Sequence, residues 1–161
     1  MPDLIICNTS PLFYLHRLLL LDLLQKLYGR ITVPEGVLAE LEAGRHQGED
    51  VPNLAEHPWI EVRSVRVPEV IVLVTDFGPG EAEVLSLGLE HPGSLVILDD
   101  RLARTVAAAR GLRLTGTAGV LLKASQQGHL SVLAPVLEQL TQLGFRLAPA
   151  VARAILQLAG E

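Results

Sequence analysis

The chain has 161 residues, 49% of them apolar and 19% charged, with 10 prolines, 14 glycines and one cysteine. This composition excludes collagen-like, disordered and disulfide-scaffold chains, and the length suffices for one domain with a sizeable core. Thirteen basic against eighteen acidic side chains give a net charge of −5, which argues against nucleic-acid binding through a generally basic surface.

Leu4-Ile5-Ile6-Cys7 is a continuously apolar run that stops at Asn8-Thr9-Ser10-Pro11, the pattern of a buried parallel strand followed by a turn. Ser10-Pro11 predicts a helix start, with serine accepting at the N-cap and proline at the first helical position. Leu18 to Leu24 is the most apolar stretch, but Asp22 interrupts it, and it is far shorter than the roughly 20 residues of a membrane span. Asp22 to Tyr28 reads as a second helix stopped by Gly29, and Ile31 to Val33 as a strand. Pro34 to Ala43 predicts a helix ended by Gly44, with Val37, Leu38 and Leu41 on one face and Glu40 near its edge. The polar segment 44–53 is a loop, and the alternation over Ile60 to Val65 predicts an edge strand. Val70 to Thr75 fits a strand or an apolar helix equally. Glu81 to Glu90 is a helix with an acidic first turn.

Leu95 to Leu98 is a second buried strand, ending at Asp99-Asp100. A helix Arg101 to Arg110, a strand Leu112 to Thr115 and helices Thr117 to Gln126, Val132 to Leu143 and Pro149 to Ala159 follow. Strands alternating with helices predict an α/β domain whose central parallel sheet carries helices on both faces, with right-handed crossovers. Residues 1–161 form one domain in this reading, with about 130–161 as a C-terminal helical appendage.

Charge is unevenly spread. Residues 1–99 carry 6 basic and 15 acidic side chains, and residues 100–161 carry 7 and 3, so an anionic partner favours the second region. Cys7 has no partner for an internal disulfide and Met1-Pro2-Asp3 lacks the basic start of a secretory leader. Both fit a cytoplasmic location.

Several motifs fail. Gly78-Pro79-Gly80 begins a dinucleotide fingerprint, but glutamate stands where the third glycine belongs. Lys123 lacks the preceding glycine of a phosphate loop, no histidine pair has metal-ligand spacing, and there is no nucleophile elbow. Six aromatic residues offer little for base stacking. What remains is the polar chemistry at two strand ends, Asn8 and Asp99-Asp100, where ligands of parallel sheets collect. Carboxylates converging there suit Mg²⁺ or Mn²⁺ against a phosphate. Purely local roles compete with that reading: Asp99 and Asp100 capping the next helix, Asn8 organising its turn, Glu81 serving a helix dipole.

Five segments in order resemble the PIN-domain family: Asn8-Thr9-Ser10-Pro11-Leu12, Pro34-Glu35 with Glu40-Leu41, Gly80-Glu81-Ala82-Glu83, Leu98-Asp99-Asp100-Arg101 with Ala103-Arg104, and Gly116-Thr117 with Gly119. The Gly144-Phe145-Arg146 segment before a terminal helix resembles a branch of small prokaryotic PIN-like proteins. The resemblance implies a three-layer fold and an Mg²⁺- or Mn²⁺-dependent ribonuclease, many relatives being toxins of toxin–antitoxin pairs. It puts the acidic cluster at Asn8, Glu40, Glu81 and Asp100, with Asp99 beside it and Glu42 and Glu83 as alternates two residues away. Asn8 stands where the family most often has Asp, keeping an oxygen ligand but removing a charge. Thr9 and Ser10 match the hydroxyl position of the site, and Arg101 and Arg104 are expected to contact phosphate. Expected partners are RNA, an antitoxin protein and a second copy of the chain, with no membrane. Two other readings stand beside the nuclease: a nucleic-acid-binding or protein-interaction module without turnover, and a phosphoacceptor domain, disfavoured because its acid pair follows a late strand.

Overall fold

The computed structural model describes residues 2, 4–68 and 77–161; the ambiguous segment Val70 to Thr75 lies outside them. Five strands, β1 (Ile5–Cys7), β2 (Ile31–Pro34), β3 (Ile60–Arg63), β4 (Leu95–Ile97) and β5 (Arg113–Thr115), pair in the order β3-β2-β1-β4-β5. Every pairing is parallel. The described residues form eight α-helices: α1 (Thr9–Arg17), α2 (Leu23–Tyr28), α3 (Glu35–His46), α4 (Pro79–Glu90), α5 (Arg101–Ala109), α6 (Thr117–Gln126), α7 (Ala134–Gln142) and α8 (Pro149–Leu158). Together they make the three-layer α/β fold expected from the alternation of elements. No helix of the described residues is long and apolar enough to cross a membrane.

The central strand β1 is wholly buried because helices cover both of its faces, which is why its sequence is a run rather than an alternation. α4 packs on α3 and against β1, β2 and β4, while α6 packs on α1, α2 and β5. From β1 the chain builds outward to β2 and β3, then returns to the other side of β1 to form β4 and β5. The β1/β4 junction is therefore the switch point of the sheet, where the crevice at the carboxyl ends opens.

Most element boundaries shift by one or two residues from the expectation, and three of the differences have a local physical reason or consequence. Helix α1 begins at Thr9 with Asn8 as its N-cap, so Pro11 occupies the third helical position, where its missing amide is still no loss. Helix α3 continues through Gly44 to His46. Its stop is Gly48, with φ of 82°: the Gly48 amide donates to Arg45 O and the Glu49 amide to Gly44 O, the pairing of a Schellman motif. Gly44 instead allows close packing, since a Cβ there would lie 2.8 Å from Glu49 Oε2. The edge strand β3 ends at Arg63 rather than Val65.

Candidate active site

A cleft of about 650 Å³ opens at the carboxyl ends of β1 and β4, and Asn8, Thr9, Ser10, Glu40, Glu81, Asp99 and Asp100 all line it. Residues from four separate segments thus converge. Arg101 and Arg104 line an adjoining cavity of about 1070 Å³ that shares Asp99 and Asp100 with the cleft.

Each acid is held by the start of a helix. Asp99 accepts from the Thr117 amide at 2.8 Å, the Thr117 hydroxyl at 2.6 Å and the Ser10 hydroxyl at 2.8 Å, so it ties β4 to α1 and α6. Asp100 is the N-cap of α5 and accepts from the Ala103 amide at 2.9 Å, the local role that the sequence also allowed. Glu40 accepts from the Thr9 hydroxyl at 2.5 Å and from the Gly80 amide at 3.1 Å. Glu81 accepts from the Gly78 amide, as the third residue of α4 reaching back to its N-cap. Gly80 permits the Glu40 contact: a Cβ there would lie 2.6 Å from Glu40 Oε1.

The two alternates fall elsewhere. Glu42 lines a separate cavity beside Ile60 and Val62. Glu83 reaches from α4 to the Gly36 amide, so it caps α3 while Glu40 on α3 caps α4.

Asn8 departs from its local role. It occupies the N-cap of α1 with extended backbone, yet its side chain makes no capping hydrogen bond. It is 4% exposed, and its Oδ1 is buried with no partner. An orphaned buried acceptor costs about 1–3 kcal/mol, so an unmade contact remains in the cleft.

The acids repel. The Glu81 carboxyl is raised above the usual carboxylate range, first by burial and then by the charges of Asp100 and Glu40, against the opposing Gly78 amide. Burial, with a contribution from Asp99, also pushes the Cys7 thiol well up, leaving it an inert core residue. Among the described residues no three acidic, histidine or cysteine side chains are close enough together to hold one metal ion as they stand. The donor chemistry nonetheless fits a hard divalent cation: the donors are oxygens, one is buried and unpartnered, and the carboxylates are close enough to perturb one another.

A family model described as a PIN domain matches residues 4–161. The chain belongs to the PIN-domain family. No curated protein and no solved structure matches it. This PIN domain therefore has a fold of nuclease type, in a family that is generally dependent on divalent metals.

Sequence reasoning missed several residues of the PIN-domain cleft. Phe13, Tyr14, Phe145 and Arg146 line its far wall. Tyr14 stands edge-on to both Phe13 and Phe145, with centroids 5.1 and 5.2 Å apart, and Arg17 lies over Phe13 at 4.1 Å. Arg146 lines both cavities. The Gly144-Phe145-Arg146 segment carried the signal, but only as part of a resemblance. Thr117, fully buried, was legible as a helix start and as part of the resemblance, but not as a donor to Asp99.

Proposed function

We propose that this PIN domain is a metal-dependent endoribonuclease that hydrolyses RNA phosphodiester bonds. The observation that carries the proposal is Asn8: a buried amide oxygen without a partner, in a cleft also lined by Glu40, Glu81 and Asp100. These four residues would hold Mg²⁺ or Mn²⁺. When bound, the ion supplies a nucleophile at neutral pH and offsets charge developing on the phosphoryl oxygens. The chain's own residues do the positioning. Ser10 and Thr117 fix the Asp99 carboxylate through their hydroxyls. Thr9 orients Glu40. Arg101 is exposed beside the cleft and contacts the RNA backbone, whereas Arg104 donates through one nitrogen to Leu98 O at 2.9 Å and offers the rest of its fork.

The test is cleavage of a labelled RNA by the parent in Mn²⁺, in EDTA, and by Asp100→Asn in Mn²⁺. Cleavage confined to the first arm supports the proposal, and equal cleavage in all three refutes it. The neutral Asn8, and the finding that no three acidic side chains of the described residues stand close enough to share one ion, favour one other reading, a binding module without turnover. RNA bound by the parent but never cut in Mn²⁺ would establish that module. A toxin role, with an antitoxin protein as partner, is the finer form of the nuclease reading: induction of the parent, but not of Asp100→Asn, should arrest growth. A second copy of the chain is the other proposed partner, checked by sedimentation.

A further inference from the structure

A different cavity, of about 460 Å³, lies at the opposite end of the sheet, beneath the strand starts. Each strand contributes one wall residue: Ile5, Thr32, Glu61, Leu95 and Arg113. The strands separate it from the acidic cleft.

Its chemistry is opposite in sign. Arg30 just before β2, Arg113 at the start of β5 and Lys123 on α6 converge on it, in a chain whose net charge is −5. Among the described residues none of the three makes an ion pair, and the one described carboxylate in the wall, Glu61, is already held by Arg63 at 3.0 Å. Lys123 Nζ rests 4.5 Å from the centre of the Tyr28 ring, which fixes the ammonium at the wall without neutralising it. Thr32, 4% exposed, adds a polar side chain to the wall. Leu4, Leu27 and Leu95 supply an apolar floor. Burial pushes the Tyr28 phenol up to about 12, so it remains a neutral hydrogen-bond donor across the physiological range.

We propose that this cavity binds a phosphorylated small molecule of nucleotide size, its phosphate against Arg30, Arg113 and Lys123 and its uncharged body on the apolar floor. Among the described residues the three cations, none of them ion-paired, exceed what the single carboxylate of Glu61 offsets, and guanidinium forks match phosphate oxygens. The volume falls in the range of small-molecule sites, about 300–1,000 Å³. The proposal does not rest on the nuclease reading.

Isothermal titration of the full chain in EDTA with adenosine 5′-monophosphate, adenosine and inorganic phosphate tests it. The monophosphate should bind, phosphate should bind more weakly, and adenosine should not bind. Arg113→Gln and Lys123→Gln should each weaken the monophosphate by roughly tenfold or more, while Asp100→Asn, at the other end of the sheet, should leave its affinity unchanged. Arg113 is an exposed edge-strand residue, so its replacement keeps the fold, as unchanged melting in the absence of ligand would verify. Equal affinity for adenosine or for phosphate overturns the proposal. So does binding that survives Arg113→Gln and Lys123→Gln but is lost in Asp100→Asn.

Discussion

Replacing Asn8 by Asp is the most informative perturbation of the acidic cleft. The position is 4% exposed, it lies beside Asp99, Asp100, Glu40 and Glu81, and its amide oxygen has no partner to lose. A carboxyl placed there is desolvated and repelled by its neighbours. A rise of one to two pKa units above an exposed Asp corresponds to about 1.4–2.7 kcal/mol, or about 3–11 °C of melting temperature for a domain of this size. The folded state then holds a proton that the unfolded chain has released. Stability of Asn8→Asp without metal should therefore match the parent at low pH and fall below it as pH rises through the raised value. A divalent ion reverses the sign: one more charged oxygen should tighten Mn²⁺ by roughly tenfold, about 1.4 kcal/mol, and saturating Mn²⁺ should close the gap in melting temperature. Asn8→Ala, by contrast, should be nearly neutral in EDTA and should lose the response to Mn²⁺. Thermal melts of the three proteins in EDTA and in Mn²⁺, with calorimetric titrations, provide the assay. An Asn8→Asp deficit that is the same with and without Mn²⁺, together with equal affinities, would refute a metal-ligating role for residue 8.

Three other outcomes follow from the same geometry. Asp100→Asn should keep the melting temperature within about 2–4 °C of the parent, because Asn also caps helices well, while Asp100→Ala should cost about 1 kcal/mol; both should stop RNA cleavage. Glu81→Gln should stabilise the metal-free protein at neutral pH: a carboxyl raised on folding contributes its full stability only below the ordinary carboxylate range and loses it as pH climbs through the raised value. Denaturant unfolding at about pH 4 and pH 7.5 checks this, and an advantage as large at the lower pH would contradict it. Arg101→Ala should weaken RNA binding and lower its salt slope by about one while leaving stability unchanged, whereas Arg104→Ala should also cost about 1 kcal/mol for the lost bond to Leu98 O. Anisotropy across a salt series, with melts, separates the two.

The elements most legible in the sequence were those buried on both faces. β1 and β4 read as unbroken apolar runs, and the polar residues that end them mark the cleft. Local signals were less decisive where one residue serves two geometries. Proline is tolerated throughout the first helical turn, so Pro11 could not fix the start of α1. Gly44 reads like a helix stop but allows a close approach to Glu49. Choosing Glu40 over Glu42 rested on resemblance alone, because which face of a helix meets another is a tertiary fact. The exchange in which Glu40 caps α4 and Glu83 caps α3 joins residues from distant segments, and nothing local in either helix announces it. The wall made by Tyr14, Phe145 and Arg146 likewise depends on where the segment after α7 returns.

How this cleft tolerates its charge also bears on the number of ions it takes. Four carboxylates of the described residues line it, and four helices begin at it: α1 at Thr9, α4 whose Gly80 amide meets Glu40, α5 whose Ala103 amide meets Asp100, and α6 whose Thr117 amide meets Asp99. Each helix start contributes roughly half a positive charge, so together they offset about half of the four negative charges. Roughly two negative charges remain before the Arg146 guanidinium in the cleft wall is counted, no more than one divalent cation neutralises. With Asn8 neutral, the expected stoichiometry is one Mn²⁺ per chain; Asn8→Asp leaves a larger residue and should tighten that ion before admitting another. Two equivalent Mn²⁺ ions bound by the parent in calorimetry would show that the helix starts do not screen the acids in this way.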